Sequence, residues 1–164
     1  MSVATGSALD RALEQLRVST TQDIQVRASL ETTFATLLEE LGPANLGHEN
    51  APMPLVLEAW PGGRWFRDLG HGNGHLWGHV QAIKRPTLLE IWGPLMISSA
   101  TVSNLQYRLK EVDDGTLIAL RHSTFGLIPE GYSEELSKGL VDWLERVRRS
   151  AEGASRKDAP GESR

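Results

Sequence analysis

The chain has 164 residues, of which 40% are hydrophobic and 23% charged, and its formal net charge is −4. This length and composition indicate one globular domain with a sizeable core, and a negative charge with no Lys/Arg cluster before residue 146 argues against nucleic acid as a partner. The absence of cysteine excludes disulfides and thiolate chemistry, and no apolar run reaches the length of a membrane span.

The N-terminal part begins with a predicted short helix, Ser7–Leu16, which carries leucines on one face. We assign it to an N-terminal helical extension, residues 1–22, that packs on the domain or on a partner subunit. No basic segment precedes an apolar run here, so we expect a cytoplasmic protein without a secretory signal. A strand over Asp23–Ala28 and a helix that begins after Ser29 and stops at Gly42-Pro43 follow.

The middle of the chain reads as strands joined by short turns. Short connections permit antiparallel neighbours and exclude crossovers between parallel strands. Asp113-Asp114-Gly115 is the strongest hairpin signal. The predicted strands are Leu55–Trp60, Arg64–Asp68, His75–Ile83, Thr87–Trp92, Thr101–Val112 and Thr116–Phe125.

A long helix over Gly131–Ala151 closes the predicted fold. Its apolar residues recur at helical spacing and form one stripe, which a sheet must cover. These residues are Leu136, Leu140, Trp143, Leu144 and Val147. Residues 152–164 are polar and are predicted to be a disordered tail. The element order predicts an α+β domain in which a curved antiparallel sheet wraps around the C-terminal helix.

His122 and Tyr107 are the polar residues that alternation places on the inner face of the sheet. His122 continues the phase of Leu120, and Tyr107 shares the phase of Leu105 on the facing strand. Trp143 would lie above them. A histidine bonded to the backbone or to tyrosine is one interpretation. The other is a polar handle that orients a ligand, or a general acid or base.

His75, Trp77 and His79 alternate along one predicted strand. Two histidines on one strand face can hold a metal with an outside ligand, but no Asp or Glu shares that face, so we predict no metal site. A tryptophan on an otherwise polar face indicates a contact between subunits. Together with the N-terminal helix, this favours a homodimer.

Five segments in order carry a resemblance to a known family. They are PGGRWF at 61–66, GHVQAIKRPTLLEIWG at 78–93, TVSNLQYRL at 101–109, GTLIALRHSTFG at 115–126 and GYSEEL at 131–136. They resemble the SRPBCC (START-like, helix-grip) superfamily, in particular the branch of the activator of heat-shock protein 90 ATPase. The resemblance implies a START-like helix-grip domain over residues 23–151. Leu30-Glu31 replaces the Pro-Glu of many members, and residues 42–54 lack their tryptophan, so the cavity entrance is expected to differ.

The resemblance implies that a small apolar ligand binds in a cavity between the sheet and the C-terminal helix, without a cofactor. The predicted ligand-binding residues are His122, Tyr107, Trp143, Leu105, Leu120 and Trp92, the last as one of five tryptophans suited to core or pocket walls. Two alternatives stay open: a cyclase/aromatase-type enzyme, for which no catalytic residue is predicted, and a co-chaperone-like module whose partner is a chaperone.

Overall fold

The computed structural model describes residues 7–158. Three α-helices and seven strands lie within this range, together with one 3₁₀ turn at His48–Asn50. The elements in chain order are α1 (Ala8–Gln15), β1 (Arg17–Val26), α2 (Leu30–Glu40), β2 (Val56–Leu57), β3 (Arg64–Gly70), β4 (Asn73–Lys84), β5 (Leu88–Gly93), β6 (Thr101–Val112), β7 (Gly115–Gly126) and α3 (Tyr132–Asp158).

The strands form one curved antiparallel sheet in the order β1-β7-β6-β5-β4-β3-β2. The two longest neighbours, β6 and β7, pair over twelve residues each across the turn at Asp113-Asp114. The N-terminal strand joins the far side of this hairpin, so the first and last strands of the chain are neighbours at one edge of the sheet. The predicted α+β architecture is confirmed.

Helix α3 packs against the inner face of the sheet. All five residues of its predicted apolar stripe are buried, none more than 5% exposed. Helix α2 packs beside α3 and contributes Phe34, Leu37 and Leu41 to the same core. Although α3 has 27 residues, it is amphipathic, and no helix within residues 7–158 is long and apolar enough to cross a membrane.

The predicted boundary at residue 22 falls inside β1, which begins at Arg17 and not at Asp23. The inward positions before Ile24 are Val18, Thr20 and Gln22, two of which are polar, so hydrophobic alternation did not reveal this part of the strand. The hydroxyl of Thr20 lies 2.6 Å from that of Ser137 on α3, which satisfies an inward polar group. Residues 17–22 therefore belong to the sheet.

The predicted tail from residue 152 is also corrected, because α3 continues to Asp158. Ala151 is fully buried at the start of this extra segment. The carboxylate of Glu152 accepts a hydrogen bond from the backbone N–H of Arg27 at 3.1 Å, which ties the helix to the end of β1. The rest of the predicted tail, residues 159–164, lies outside the described residues.

The predicted outward position of Trp77 is wrong. The register between β3 and β4 shifts so that Trp65 pairs with Gly78 and Phe66 with Leu76, which leaves Trp77 as the extra residue of a β-bulge. The bulge changes the alternation of faces, and Trp77 is only 5% exposed. A subunit contact can therefore not be based on Trp77.

Candidate functional site

A groove opens between α3, the segment after α2 and the loop after β5. Its volume is about 410 Å³, within the range of about 300–1,000 Å³ typical of small-molecule sites. Most of its walls are apolar, with polar groups gathered near Arg146. It is lined by Asn45, Leu46, Gly47, Met53, Trp77, Met96, Gly139, Asp142, Trp143 and Arg146.

Two tryptophans, Trp77 and Trp143, line the groove, and the fully buried Trp65 packs against both. The ring of Trp65 lies edge-on to that of Trp77 at 5.1 Å and 5.6 Å from that of Trp143. Each indole N–H of Trp65 and Trp143 donates to a backbone carbonyl at the end of α2, that of Leu41 at 2.7 Å and that of Glu40 at 3.1 Å. The wall is therefore fixed by both packing and hydrogen bonds.

Arg146 forms the polar end of the groove. Its Nε lies 3.6 Å from Oε2 of Glu40, and its guanidinium lies over the Trp143 ring at 5.7 Å from the ring centroid. Ser150 donates to the other oxygen of Glu40 at 2.6 Å. Neither Arg146 Nε nor Glu40 Oε2 has a hydrogen-bond partner of good geometry among residues 7–158. Both atoms thus retain unused hydrogen-bonding capacity at the edge of the groove.

Tyr107 lies on the inner face of β6, as predicted, and is 1% exposed. Its hydroxyl has no hydrogen-bond partner in the described part of the chain. Burial raises the pKa of the Tyr107 phenol, and the charge of Arg146 opposes part of that rise. The phenol is therefore neutral at physiological pH and close enough to Arg146 to sense its charge.

His122 also points inward and is 1% exposed. Its Nε2 lies 2.8 Å from the hydroxyl of Thr124, which in turn lies 2.7 Å from that of Ser103. Its Nδ1 has no partner among the described residues. Burial lowers the pKa of His122 to about 4, so the imidazole is neutral at pH 7. Because His122 pairs with Leu105, two residues before Tyr107, the two polar residues are diagonal neighbours.

The remaining predicted site residues lie in three places. Leu105 and Leu120 are fully buried on the same inner face as Tyr107 and His122. Trp143 lines the groove itself. Trp92 does not lie on the inner face as predicted: it is 46% exposed on the outer face of β5, where its ring stacks on that of His79 with the centroids 5.6 Å apart. Alternation explains this position, because its neighbours Ile91 and Gly93 are the buried ones.

Of the ten residues that line the groove, only Trp143 was predicted as a site residue, and Met53, Met96 and Arg146 are among those that sequence reasoning did not find. The two methionines lie in irregular segments, where no periodicity assigns a face. Arg146 lies near the end of the predicted helix Gly131–Ala151, where a positive charge is ordinary because the helix dipole favours it. The departure of residues 42–54 from the family pattern was the available signal, since that segment forms one wall of the groove. No three His, Asp or Glu side chains within residues 7–158 come together as a metal site.

No family model and no curated protein matches this chain. Several solved structures match the fold of this chain. The di-domain ARO/CYC StfQ from the steffimycin biosynthetic pathway aligns with a TM-score of 0.63 at 14% identity, over 92% of this chain and 54% of StfQ. Protein CV1439 from Chromobacterium violaceum aligns with a TM-score of 0.65 at 15% identity, over 82% of this chain and 98% of that protein.

DynU16, from the dynemicin biosynthetic locus, aligns with a TM-score of 0.58 at 18% identity, over 84% of this chain and 48% of DynU16. This chain thus spans about half the length of StfQ and of DynU16. At these identities the likeness shows the fold. The chain has the helix-grip fold that the resemblance implied.

Proposed function

We propose that the groove binds a small, largely apolar molecule that carries one oxygen-containing group. The observation that supports this proposal is the groove itself: an apolar cleft of about 410 Å³ with a fixed aromatic wall and one cationic end. Ligand sites commonly combine apolar walls with a few polar groups that set the orientation. Met53 and Met96 add flexible apolar surface that can adapt to the ligand's shape.

Arg146 and Tyr107 are the groups that we assign to the ligand's oxygen. The guanidinium lines the groove. The neutral phenol does not line it, but the charge of Arg146 acts on it, and its hydroxyl has no partner among the described residues. An unpaired buried hydroxyl costs about 1–3 kcal/mol, so a carbonyl or hydroxyl oxygen that accepts from it gains that amount. Glu40 already pairs with Arg146, which favours a neutral oxygen group over a second carboxylate.

His122 keeps its predicted role as a second polar handle in this proposal. Its free Nδ1 lies on the same inner face as the Tyr107 hydroxyl. A ligand that extends from the groove toward the sheet would bring a second polar group near it. The contribution of His122 and that of Tyr107 are separable, because His122→Phe and Tyr107→Phe each remove one handle.

Gly139 offers the sharpest test. It lines the groove from α3, and within the described structure nothing lies within 4 Å of a Cβ placed there. Gly139→Leu would therefore add a side chain at the groove wall from a Cβ that lies in open space. Gly153→Leu is the matched control, because Gly153 lies on the same helix, also has space for a Cβ, and does not line the groove.

The measurement is a titration of an apolar fluorescent probe against the folded variants. Wild type and Gly153→Leu should bind the probe with equal affinity, and Gly139→Leu should bind it at least tenfold more weakly. Tyr107→Phe should weaken the binding of an oxygen-bearing probe by about tenfold, which is about 1.4 kcal/mol. Equal binding by wild type and Gly139→Leu would overturn the groove as the site. Absence of binding by any of a series of probes would overturn the function.

A cyclase/aromatase-type enzyme is the second candidate, favoured by the inward His122 and Tyr107 and by the likeness to StfQ, itself named as an ARO/CYC protein. The pKa values weigh against it, because an efficient general acid or base has a pKa near the working pH. His122 at about 4 is a weak base, and the raised pKa makes Tyr107 a weak acid. Turnover of an aromatic polyketide substrate that His122→Phe abolishes would establish the enzyme.

The co-chaperone hypothesis stays a prediction from the family resemblance. This function differs from ligand binding, because the partner is a protein and the measured effect is a faster ATPase reaction. Stimulation of a chaperone ATPase by the wild-type chain, unchanged by Gly139→Leu, would favour that function over ligand binding.

A further inference from the structure

Helix α1 carries an apolar stripe without a cover. Its start is well formed, because the Ser7 side chain accepts from the backbone N–H of Asp10 and the Asp10 carboxylate accepts from that of Ser7. Yet none of its eight residues, all of them described, is buried, and Leu9 and Leu13 are 67% and 45% exposed. Helices shorter than about 12–15 residues are marginal on their own. This helix therefore needs a partner surface.

A second uncovered apolar surface lies on the outer face of the sheet. Trp92, Val102 and Phe125 come from three successive strands in the sheet order, and each is about half exposed. They surround a depression of about 390 Å³ at one end of the sheet. The same face is polar further along, where Arg108 and Arg121 stand outward. The apolar surface is thus a confined patch, and patches of this kind mark interaction sites.

The two surfaces are continuous at Phe125. A cleft of about 500 Å³ lies between α1 and the sheet, and it is lined by Asp10, Leu13, Glu14, Arg17 and Phe125. Arg17 and Phe125 also line the depression next to it. The chain therefore presents an apolar ridge and an apolar hollow side by side, with acidic and basic groups along their shared edge.

We propose that this surface is the interface of a homodimer, in which α1 of each copy lies in the hollow of the other. A ridge beside a matching hollow is self-complementary under a two-fold axis, and such an interface closes after two copies. The charges suit this arrangement, since each copy carries an acidic and a basic group, Glu14 and Arg17, along the edge that the partner copy would meet. A partner protein without both charges would leave Glu14 or Arg17 unpaired at this edge.

The exposed apolar area suits a dimer core. Five side chains are exposed by about half on average, which amounts to on the order of 500 Å² per copy if the aromatic range of about 150–250 Å² serves as a guide for each. They are Leu9, Leu13, Trp92, Val102 and Phe125. A standard interface buries about 800 Å² per partner, with an apolar centre and a polar rim. The backbone of α1 and the charged edge supply the rim.

Sedimentation equilibrium over a wide concentration range tests this interface on the full chain. The wild type should be dimeric, and Leu13→Glu and Val102→Glu should each raise the dissociation constant at least tenfold. Leu69→Glu is the matched control, because Leu69 is 59% exposed at the β3–β4 turn, away from the patch. It should dimerise like the wild type. Circular dichroism confirms that each variant is folded.

Two further measurements keep the inference falsifiable if a variant misfolds. Arg17→Glu should weaken the dimer, and the double variant Arg17→Glu/Glu14→Arg should restore it. Because the chain has no cysteine, a mixture of Leu13→Cys and Val102→Cys proteins should yield a cross-linked heterodimer with a short bismaleimide, whereas Leu69→Cys with Val102→Cys should not. A monomer at all concentrations, or a dimer that Leu13→Glu and Val102→Glu leave intact, would overturn the proposal.

Discussion

The indole of Trp143 donates a hydrogen bond to the backbone carbonyl of Glu40, 3.1 Å away. Trp65 donates in the same way to Leu41, the next residue, at 2.7 Å. The last carbonyls of a helix lack intrahelical partners, so these two bonds satisfy α2 where it ends. One bond comes from α3 and the other from β3. These two bonds thereby hold α2, α3 and the sheet together beside the groove.

Replacement of Trp143 by alanine should therefore be costly. The substitution removes a buried ring and leaves the carbonyl of Glu40 without its donor, so we expect a loss of about 3–5 kcal/mol in the free energy of unfolding, measured by urea denaturation. Trp92→Ala is the matched control, because that ring is 46% exposed on the outer face. Its loss should stay below about 1 kcal/mol. Equal costs for the two variants would contradict the assigned faces.

Acid should destabilise the protein through His122. Its pKa is about 4 in the folded protein and about 6.5 in the unfolded chain, so the unfolded chain binds the extra proton first as the pH falls. The stabilisation is fully present above about pH 6.5 and is lost between that pH and about 4, by about 3 kcal/mol in all. Urea denaturation at several pH values measures it.

His122→Gln is the control for this pH dependence. The amide does not titrate, so the variant should lose less stability than the wild type between pH 6.5 and 4. Parallel curves for the two proteins over that interval would show that His122 does not carry the effect. Because both proteins share every other titrating group, the difference between the curves isolates the imidazole.

The inner face of the β6–β7 hairpin could be predicted because its strands are regular. Strict alternation placed Leu105, Tyr107, Leu120 and His122 on one side, and all four are buried. Alternation failed on β4, where a bulge at Trp77 inserts one extra residue. A bulge depends on the register with a neighbouring strand, and that register is a tertiary property that no local pattern contains.

The groove was less predictable than the fold. Its aromatic wall was foreseen in Trp143, but Met53 and Met96 lie in irregular segments, and only the packed chain brings them together. The helical segment after Ala151 was missed for a related reason. Its sequence is polar, and its helix is stabilised by a contact between Glu152 and the backbone of Arg27, 125 residues earlier in the chain.

The pair of Arg146 and Glu40 should matter more for stability than the other ion pair of α3. Both side chains are largely buried, so Arg146→Met would leave a buried carboxylate without its partner and cost about 3 kcal/mol. Arg148→Met, which breaks the exposed pair with Glu145, should cost about 0.5 kcal/mol or less. Urea denaturation measures both.

A double-mutant cycle then separates the interaction from lost packing. If the cost of Arg146→Met comes from the unpaired carboxylate, Glu40→Gln in the same chain should recover about 1 kcal/mol or more. Additive losses would instead assign the cost to the contact of the Arg146 stem with Trp143.

Two glycines of the described structure should respond in opposite ways to alanine. At Gly78 a Cβ would lie 2.4 Å from the backbone carbonyl oxygen of Trp92, a contact that only a shift of β4 or β5 can relieve, so Gly78→Ala should cost about 1–3 kcal/mol or more. At Gly139 the same atom meets nothing within 4 Å in the described structure, and alanine favours the helix, so Gly139→Ala should gain about 0.5–1 kcal/mol. Thermal and urea denaturation of both variants measure the two shifts. Because the Gly139 methyl group also enters the groove, the more stable variant should bind an apolar probe no more tightly than the wild type. A stabilised Gly78→Ala protein would contradict this close approach of β4 to β5.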